Sequence, residues 1–252
     1  MNQEVPNLND VDTRAGFSYF DAGLTEQDQE ILAKINVGTK GVYDNFGDID
    51  KIKADAAELF ENLGNSPAAA KAQAEIIARM AKRAIAGFGS EAAWVTIRAF
   101  RPTDEFDIPR WHTDREFFGT KGYQLKAVFA LKGASTLLHR ADEDQRREIT
   151  KLQRAASVGE MDEIESRTRR EALLDLSKTE TPPPGTGTIL IAGGDHATVH
   201  SEPPIREARI FLSVLPGTKA EIKQLQQNWD RGKKTEIRLG DQKPAKTNAH
   251  RL

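Results

Sequence analysis

Apolar positions repeat with a helical period through the first third of the chain and with a strand-like alternation from Ala93 onward. Residues 1–23 read as an irregular polar lead with one aromatic cluster, Phe17, Tyr19 and Phe20, suited to pinning it to the body. Thr25 with Asp28 three later marks a helix start, followed by the apolar face Ile31, Leu32 and Ile35. A second helix is expected from Asp48, with Ile49, Ile52, Ala56, Leu59 and Phe60 at helical spacing and Gly64 as its stop. The third runs from Ser66-Pro67, an N-cap and first-turn proline, to Ile85, and carries Ile76, Ile77, Met80 and Ala84 on one side. Residues 1–92 are therefore expected to form a lead and a helical buttress packed on a sheet, with no catalytic role.

Beyond that point strands dominate. Trp94 to Phe100 is rich in aromatic and β-branched residues, ends at Pro102, and puts Trp94, Thr96, Arg98 and Phe100 on one face. A loop then leads to a further strand that carries His112, within Pro109 to Asp114. Tyr123 to Leu131 alternates, and Gly133 to Leu138 reads as a turn and a short strand. Residues 140–178 interrupt the sheet with two charged amphipathic helices broken around Ser157-Val158-Gly159, a helical insertion or lid whose charge reads as a solvated face. Strands resume at Thr188 to Ala192, at His196 to His200, and at Ala208 to Leu215, where Arg209, Phe211 and Ser213 share a face. A polar helix from Ala220 to Trp229 leads into a Lys- and Arg-rich tail from Arg231, for which disorder or loose docking is expected.

At 252 residues and 38% hydrophobic the chain can bury one substantial core, which favours one catalytic-sized domain over residues 93–216, flanked by 1–92 and 217–252. A net charge of −2 gives no reason to expect a nucleic-acid or membrane partner. The absence of cysteine excludes disulfides, thiolate zinc sites and cysteine nucleophiles, so any metal must sit on His and carboxylate. The first residues lack an apolar run, no stretch is long enough to span a membrane, and a cytoplasmic protein is the expectation.

The candidate chemistry centres on Pro109-Arg110-Trp111-His112-Thr113-Asp114. On extended backbone His112 and Asp114 point the same way, bringing one imidazole and one carboxylate to a single point. A second His on a neighbouring strand would complete a two-His-one-carboxylate triad with open positions, the arrangement that suits non-haem Fe(II). Both His196 and His200 are placed to supply it by face, and Arg209, inward on a core strand, demands an anion.

The order His112-x-Asp114, a long interval, an apolar strand begun by Gly187, then His200 and Arg209 nine residues on, resembles the Fe(II)/2-oxoglutarate-dependent dioxygenase superfamily. The resemblance covers about residues 93 to 216 and implies an α+β fold whose core is a double-stranded β-helix, or jelly roll. It implies that His112, Asp114 and His200 hold iron, His200 being preferred to His196 on the family's spacing, and that Arg209 pairs with the distal carboxylate of 2-oxoglutarate. Tyr123 and Thr136 are candidate hydroxyls for the same co-substrate. The chain departs from the family where a small hydroxyl residue often stands two after the arginine: Phe211 is there, and Ser213 lies two further on. The implied activity is hydroxylation or demethylation of an unidentified substrate, with O₂ consumed and 2-oxoglutarate decarboxylated. The alternatives are a cupin-like metal or small-molecule binding protein without turnover, and a helical interaction protein that uses residues 140–178 as its surface.

Overall fold

The computed structural model describes residues 7–119, 123–230 and 235–240. The strands are β1 (Phe17–Asp21), β2 (Gly41–Phe46), β3 (Ala92–Phe100), β4 (Gln124–Lys132), β5 (Leu137–His139), β6 (Thr179–Glu180), β7 (Thr186–Ala192), β8 (Val199–Ser201), β9 (Arg209–Gly217) and β10 (Thr235–Leu239). The helices are α1 (Glu26–Ala33), α2 (Ile52–Asn62), α3 (Pro67–Gly87), α4 (Glu143–Ser157), α5 (Glu163–Ala172) and α6 (Lys219–Asp230). Two antiparallel sheets result, one in the order β1-β7-β4-β9-β3-β2-β10 and a smaller one in the order β6-β5-β8.

Strand alternation gives the large sheet two different faces. Val95, Ile97 and Ala99 of β3, with Ile210, Leu212 and Val214 of β9, join the main core beneath α2 and α3, through side chains such as Leu59, Phe60 and Ile77. The alternate residues, Trp94, Thr96, Arg98 and Phe100 of β3 and Arg209, Phe211 and Ser213 of β9, line a cavity on the opposite face. The small sheet lies on that side too, with Leu138 of β5 packed against Val128 and Leu190 of the large sheet. The helices form as the sequence predicts. Thr25 and Asp28 make a reciprocal capping box, the Ser66 hydroxyl accepts from Ala69 N–H, and Asp142 and Asp162 cap α4 and α5.

Five expectations need correction. Residues 17–21 are not irregular but form an edge strand on β7, with Phe17 packed under the small sheet and Phe20 edge-on to Phe129 at 5.5 Å. Gly187, where β7 pairs with Phe20, must be glycine, since an added Cβ would lie 2.4 Å from the Phe20 ring. Strand β2 gave no signal because Asp44 and Asn45 are buried in it, so the leading segment contributes strands as well as helices. The Pro109 to Asp114 segment is extended but not a ladder strand, pairing only through a single bridge between His112 and His200. The strand expected over residues 196–200 begins only at Val199, which leaves His196 in an exposed turn. The tail from Arg231, expected to be disordered or loosely docked, instead supplies β10 on the edge of the large sheet beside β2, and most of its other residues lie outside the described ones. Among the described residues no helix is long and apolar enough to cross a membrane.

Candidate metal centre

The single bridge decides the geometry of the site. His112 N–H donates to His200 O at 2.9 Å and His200 N–H donates to His112 O at 3.0 Å. Residues directly opposite in such a pair point the same way, so the two imidazoles stand side by side with ring centroids 4.2 Å apart. Asp114, two residues along, shares their face, and one ligand atom from each of the three lies within 4.8 Å of the others. The same register sets Arg110 against Glu202, and they form a two-pronged ion pair at 2.5 and 3.3 Å.

The donor set fits a divalent metal. His112 Nδ1 lies 2.7 Å from Arg110 O and His200 Nδ1 lies 3.0 Å from Thr198 O. A carbonyl can only accept, so each Nδ1 carries the proton and each Nε2 keeps its lone pair for a ligand bond. Burial keeps both rings neutral: it pushes His112 down to about 3, helped by His200 and Arg110, and lowers His200 as well. Burial alone would raise Asp114, but the Lys126 ammonium, by its charge and its hydrogen bond, outweighs it and holds the carboxyl well below its usual range. Lys126 Nζ donates to Asp114 Oδ2. A carboxylate has two oxygens and room for several partners, so Asp114 can meet an ammonium and a metal together.

The segment carrying His112 lacks a full ladder, and the helical insertion replaces it. Gln153 of α4 acts as a substitute strand toward Thr113, its Oε1 accepting from Thr113 N–H at 3.2 Å and its Nε2 donating to Thr113 O at 3.2 Å. The Thr113 and Thr150 hydroxyls are 2.9 Å apart. Arg170 of α5, fully buried, donates to Trp111 O at 2.6 Å, while the Trp111 ring packs on Ile149, Leu174 and Val199. Asp114 O accepts from Gly193 N–H at 2.8 Å. Most charges of α4 and α5 are solvated, as the sequence suggests, but Arg146 and Arg170 turn inward.

Arg209 and Thr136 reach the same cavity of about 270 Å³ as the three candidate ligands. Arg209 is 2% exposed, donates from Nε to Ala134 O at 2.9 Å and from Nη2 to Thr136 Oγ1 at 3.3 Å, and lies 4.9 Å over the Phe211 ring. No carboxylate among the described residues pairs with it. Burial, with Arg98 nearby, lowers its pKa to about 10. Tyr123 is not brought to the site. It stands 46% exposed beside His196, ring centroids 6.5 Å apart, on the phase of β4 opposite to the cavity-lining Lys126. The assignment of Tyr123 to co-substrate binding is therefore corrected. Arg110, Glu202, Gln153 and Arg170 were not foreseen, and only the first two had a signal, since they flank His112 and His200 at matching offsets.

No family model matches the sequence, and no curated protein matches it. Among solved structures, the chain matches the dioxygenase for auxin oxidation of rice at 11% identity and a TM-score of 0.40, covering 81% of this chain and 74% of that one. It also matches the dioxygenase for auxin oxidation 1 of Arabidopsis thaliana, solved with 2-oxoglutarate, at 10% identity and a TM-score of 0.36, covering 84% and 92%. Likenesses of this degree leave the function of the chain to its own geometry.

Proposed function

We propose that the chain is an Fe(II)- and 2-oxoglutarate-dependent oxygenase that hydroxylates or demethylates its substrate, with the two sheets acting as a double-stranded β-helix. The observation that carries this reading is Arg209, a buried guanidinium with no carboxylate partner among the described residues, opening on the same cavity as two imidazoles and a carboxylate. Leaving such a charge unpaired is costly, and a dicarboxylate bound in the cavity removes the cost. Residues 93–216 form the proposed catalytic core, which β1, β2 and β10 complete from either flank.

Each residue then has a task. His112, Asp114 and His200 hold the metal, and the Arg110 and Thr198 carbonyls fix the two rings for it. Bound Fe(II) with 2-oxoglutarate and O₂ supplies the oxidising chemistry. Arg209 takes the distal carboxylate in its fork. Thr136 accepts from Arg209 and so turns its own hydroxyl proton toward the same carboxylate. Trp94 and Phe117, edge to face at 5.7 Å, present an apolar wall that keeps water from the reacting centre.

The test is anaerobic titration of the Fe(II) protein with 2-oxoglutarate, in which a weak visible charge-transfer band reports chelation. In parallel, calorimetry on the Mn(II) protein compares wild type with Arg209→Lys. Losing the fork should cost on the order of 1.5 to 3 kcal/mol, roughly tenfold to over a hundredfold in co-substrate affinity, with Mn(II) affinity unchanged. A metal-filled wild type that binds no 2-oxoglutarate refutes the reading. The Lys126–Asp114 ion pair, which neutralises the one carboxylate of the triad, favours the second reading, a cupin-like binding protein without turnover.

A further inference from the structure

We propose that the substrate of this site is a small carboxylate with an apolar body, and that Arg98 is the residue that binds its acid group. The inference rests on the oxygenase reading and deepens it.

Arg98 lies in the middle of the cavity face of β3, between Phe211 of β9 and Val42 of β2 in the register. Its neighbours along that face are engaged: Trp94 Nε1 and Thr96 Oγ1 both donate to Asp44 Oδ1 at 3.0 Å. Arg98 makes no hydrogen bond or ion pair with any described residue, although it lines the cavity and is half-buried. Its sequence position does not explain this, since a solvated arginine would sit on a strand edge or loop, whereas β3 is an inner strand paired on both sides.

Charge balance points the same way. Among the described residues four cationic side chains line the cavity, Arg98, Arg110, Lys126 and Arg209, against two carboxylates, Asp114 and Glu202. Arg110 is matched by Glu202 and Lys126 by Asp114, which leaves Arg98 and Arg209 in excess. A divalent metal and 2-oxoglutarate together are electrically neutral, so loading the site leaves that excess in place. Once Arg209 holds the co-substrate, Arg98 still calls for an anion, and a cavity with this positive excess selects acids over neutral or cationic molecules. The walls within reach are aromatic: Trp94, Phe100, Phe117 and Phe211. Such walls suit a flat apolar body behind the acid group, and the cavity of about 270 Å³ admits only a small one.

The experiment uses three probes on the protein loaded with Mn(II) and 2-oxoglutarate: 3-phenylpropionate, its neutral amide, and benzyl phosphate. Calorimetry measures each on wild type and on Arg98→Gln, which should fold normally because Arg98 bonds to no described residue. The acid should bind wild type about tenfold or more tighter than the amide, and Arg98→Gln should abolish that preference. Affinity for 2-oxoglutarate should change only slightly, since Arg98 acts on Arg209 as a neighbouring charge and not by contact, and the melting temperature should be the same in both proteins. Equal binding of acid and amide to wild type, or no binding of the acid, overturns the proposal. So does a loss of 2-oxoglutarate affinity in Arg98→Gln, which would make Arg98 part of the co-substrate site. Tighter binding of benzyl phosphate than of the acid overturns the carboxylate assignment. Failure of the oxygenase reading is a separate result, a wild type that fills with Mn(II) yet gives no heat with 2-oxoglutarate.

Discussion

Gln153→Ala tests whether the helical insertion is a splint for the metal site. In wild type the two bonds to Thr113 are each 3.2 Å long and hold the residue between His112 and Asp114. Each is a neutral hydrogen bond with a net value of about 0.5–1.5 kcal/mol, so the substitution should cost about 1–3 kcal/mol of stability. The sharper consequence concerns metal affinity. If Thr113 is free to move, the angle between the His112 and Asp114 side chains is no longer fixed, and losing support of this kind typically weakens a metal about tenfold to a hundredfold. Mn(II) calorimetry well below the melting temperature separates this from unfolding, with denaturant titrations giving the stability change. Gln153→Glu keeps the acceptor for Thr113 N–H but loses the donor to Thr113 O, and should fall between wild type and alanine in stability. A Gln153→Ala protein that is less stable but binds Mn(II) as tightly as wild type refutes the splint, and α4 then merely covers the sheet.

Two further outcomes follow from the ligand geometry. His112→Ala or His200→Ala should abolish stoichiometric Mn(II) binding while His196→Ala, in its exposed turn, leaves it intact; loss in His196→Ala with retention in His200→Ala reverses the ligand assignment. Lys126→Met removes an ammonium that shares Asp114 with the metal and repels a cation beside it, so the metal-free protein should lose up to about 3 kcal/mol of stability while Mn(II) affinity rises severalfold; unchanged or weaker Mn(II) binding in calorimetry refutes that repulsion.

What the sequence disclosed, it disclosed through alternation. His112 and Asp114 are two apart, as are Arg209, Phe211 and Ser213, and Trp94, Thr96, Arg98 and Phe100, so each set can be placed on one face without knowing what lies opposite. The same rule exposes the error at Tyr123, whose phase on β4 is that of the core-facing Ala127 and Phe129 rather than of Lys126. Strand β2 was hidden because its buried polar residues serve a network: Asn45 donates to the Tyr43 hydroxyl, which donates to Asp55 on α2. Such a pattern reads as loop until its partners are known.

The remaining parts of the site depend on contacts between residues distant in sequence, and no local pattern carries those. Gln153 and Arg170 sit among many charged and polar residues of α4 and α5, and only the fold shows which of them turn inward. Yet their presence follows from a physical need. A segment beginning with Pro109 and paired at a single residue cannot hold two candidate metal ligands through a ladder of its own. Its remaining backbone groups must be satisfied elsewhere, and Gln153, Arg170 and Gly193 N–H meet that need at Thr113, Trp111 and Asp114. The insertion, which the sequence leaves as a lid or a partner surface, also meets the backbone groups that the missing ladder leaves open, so the candidate metal site and the insertion are expected to stand or fall together.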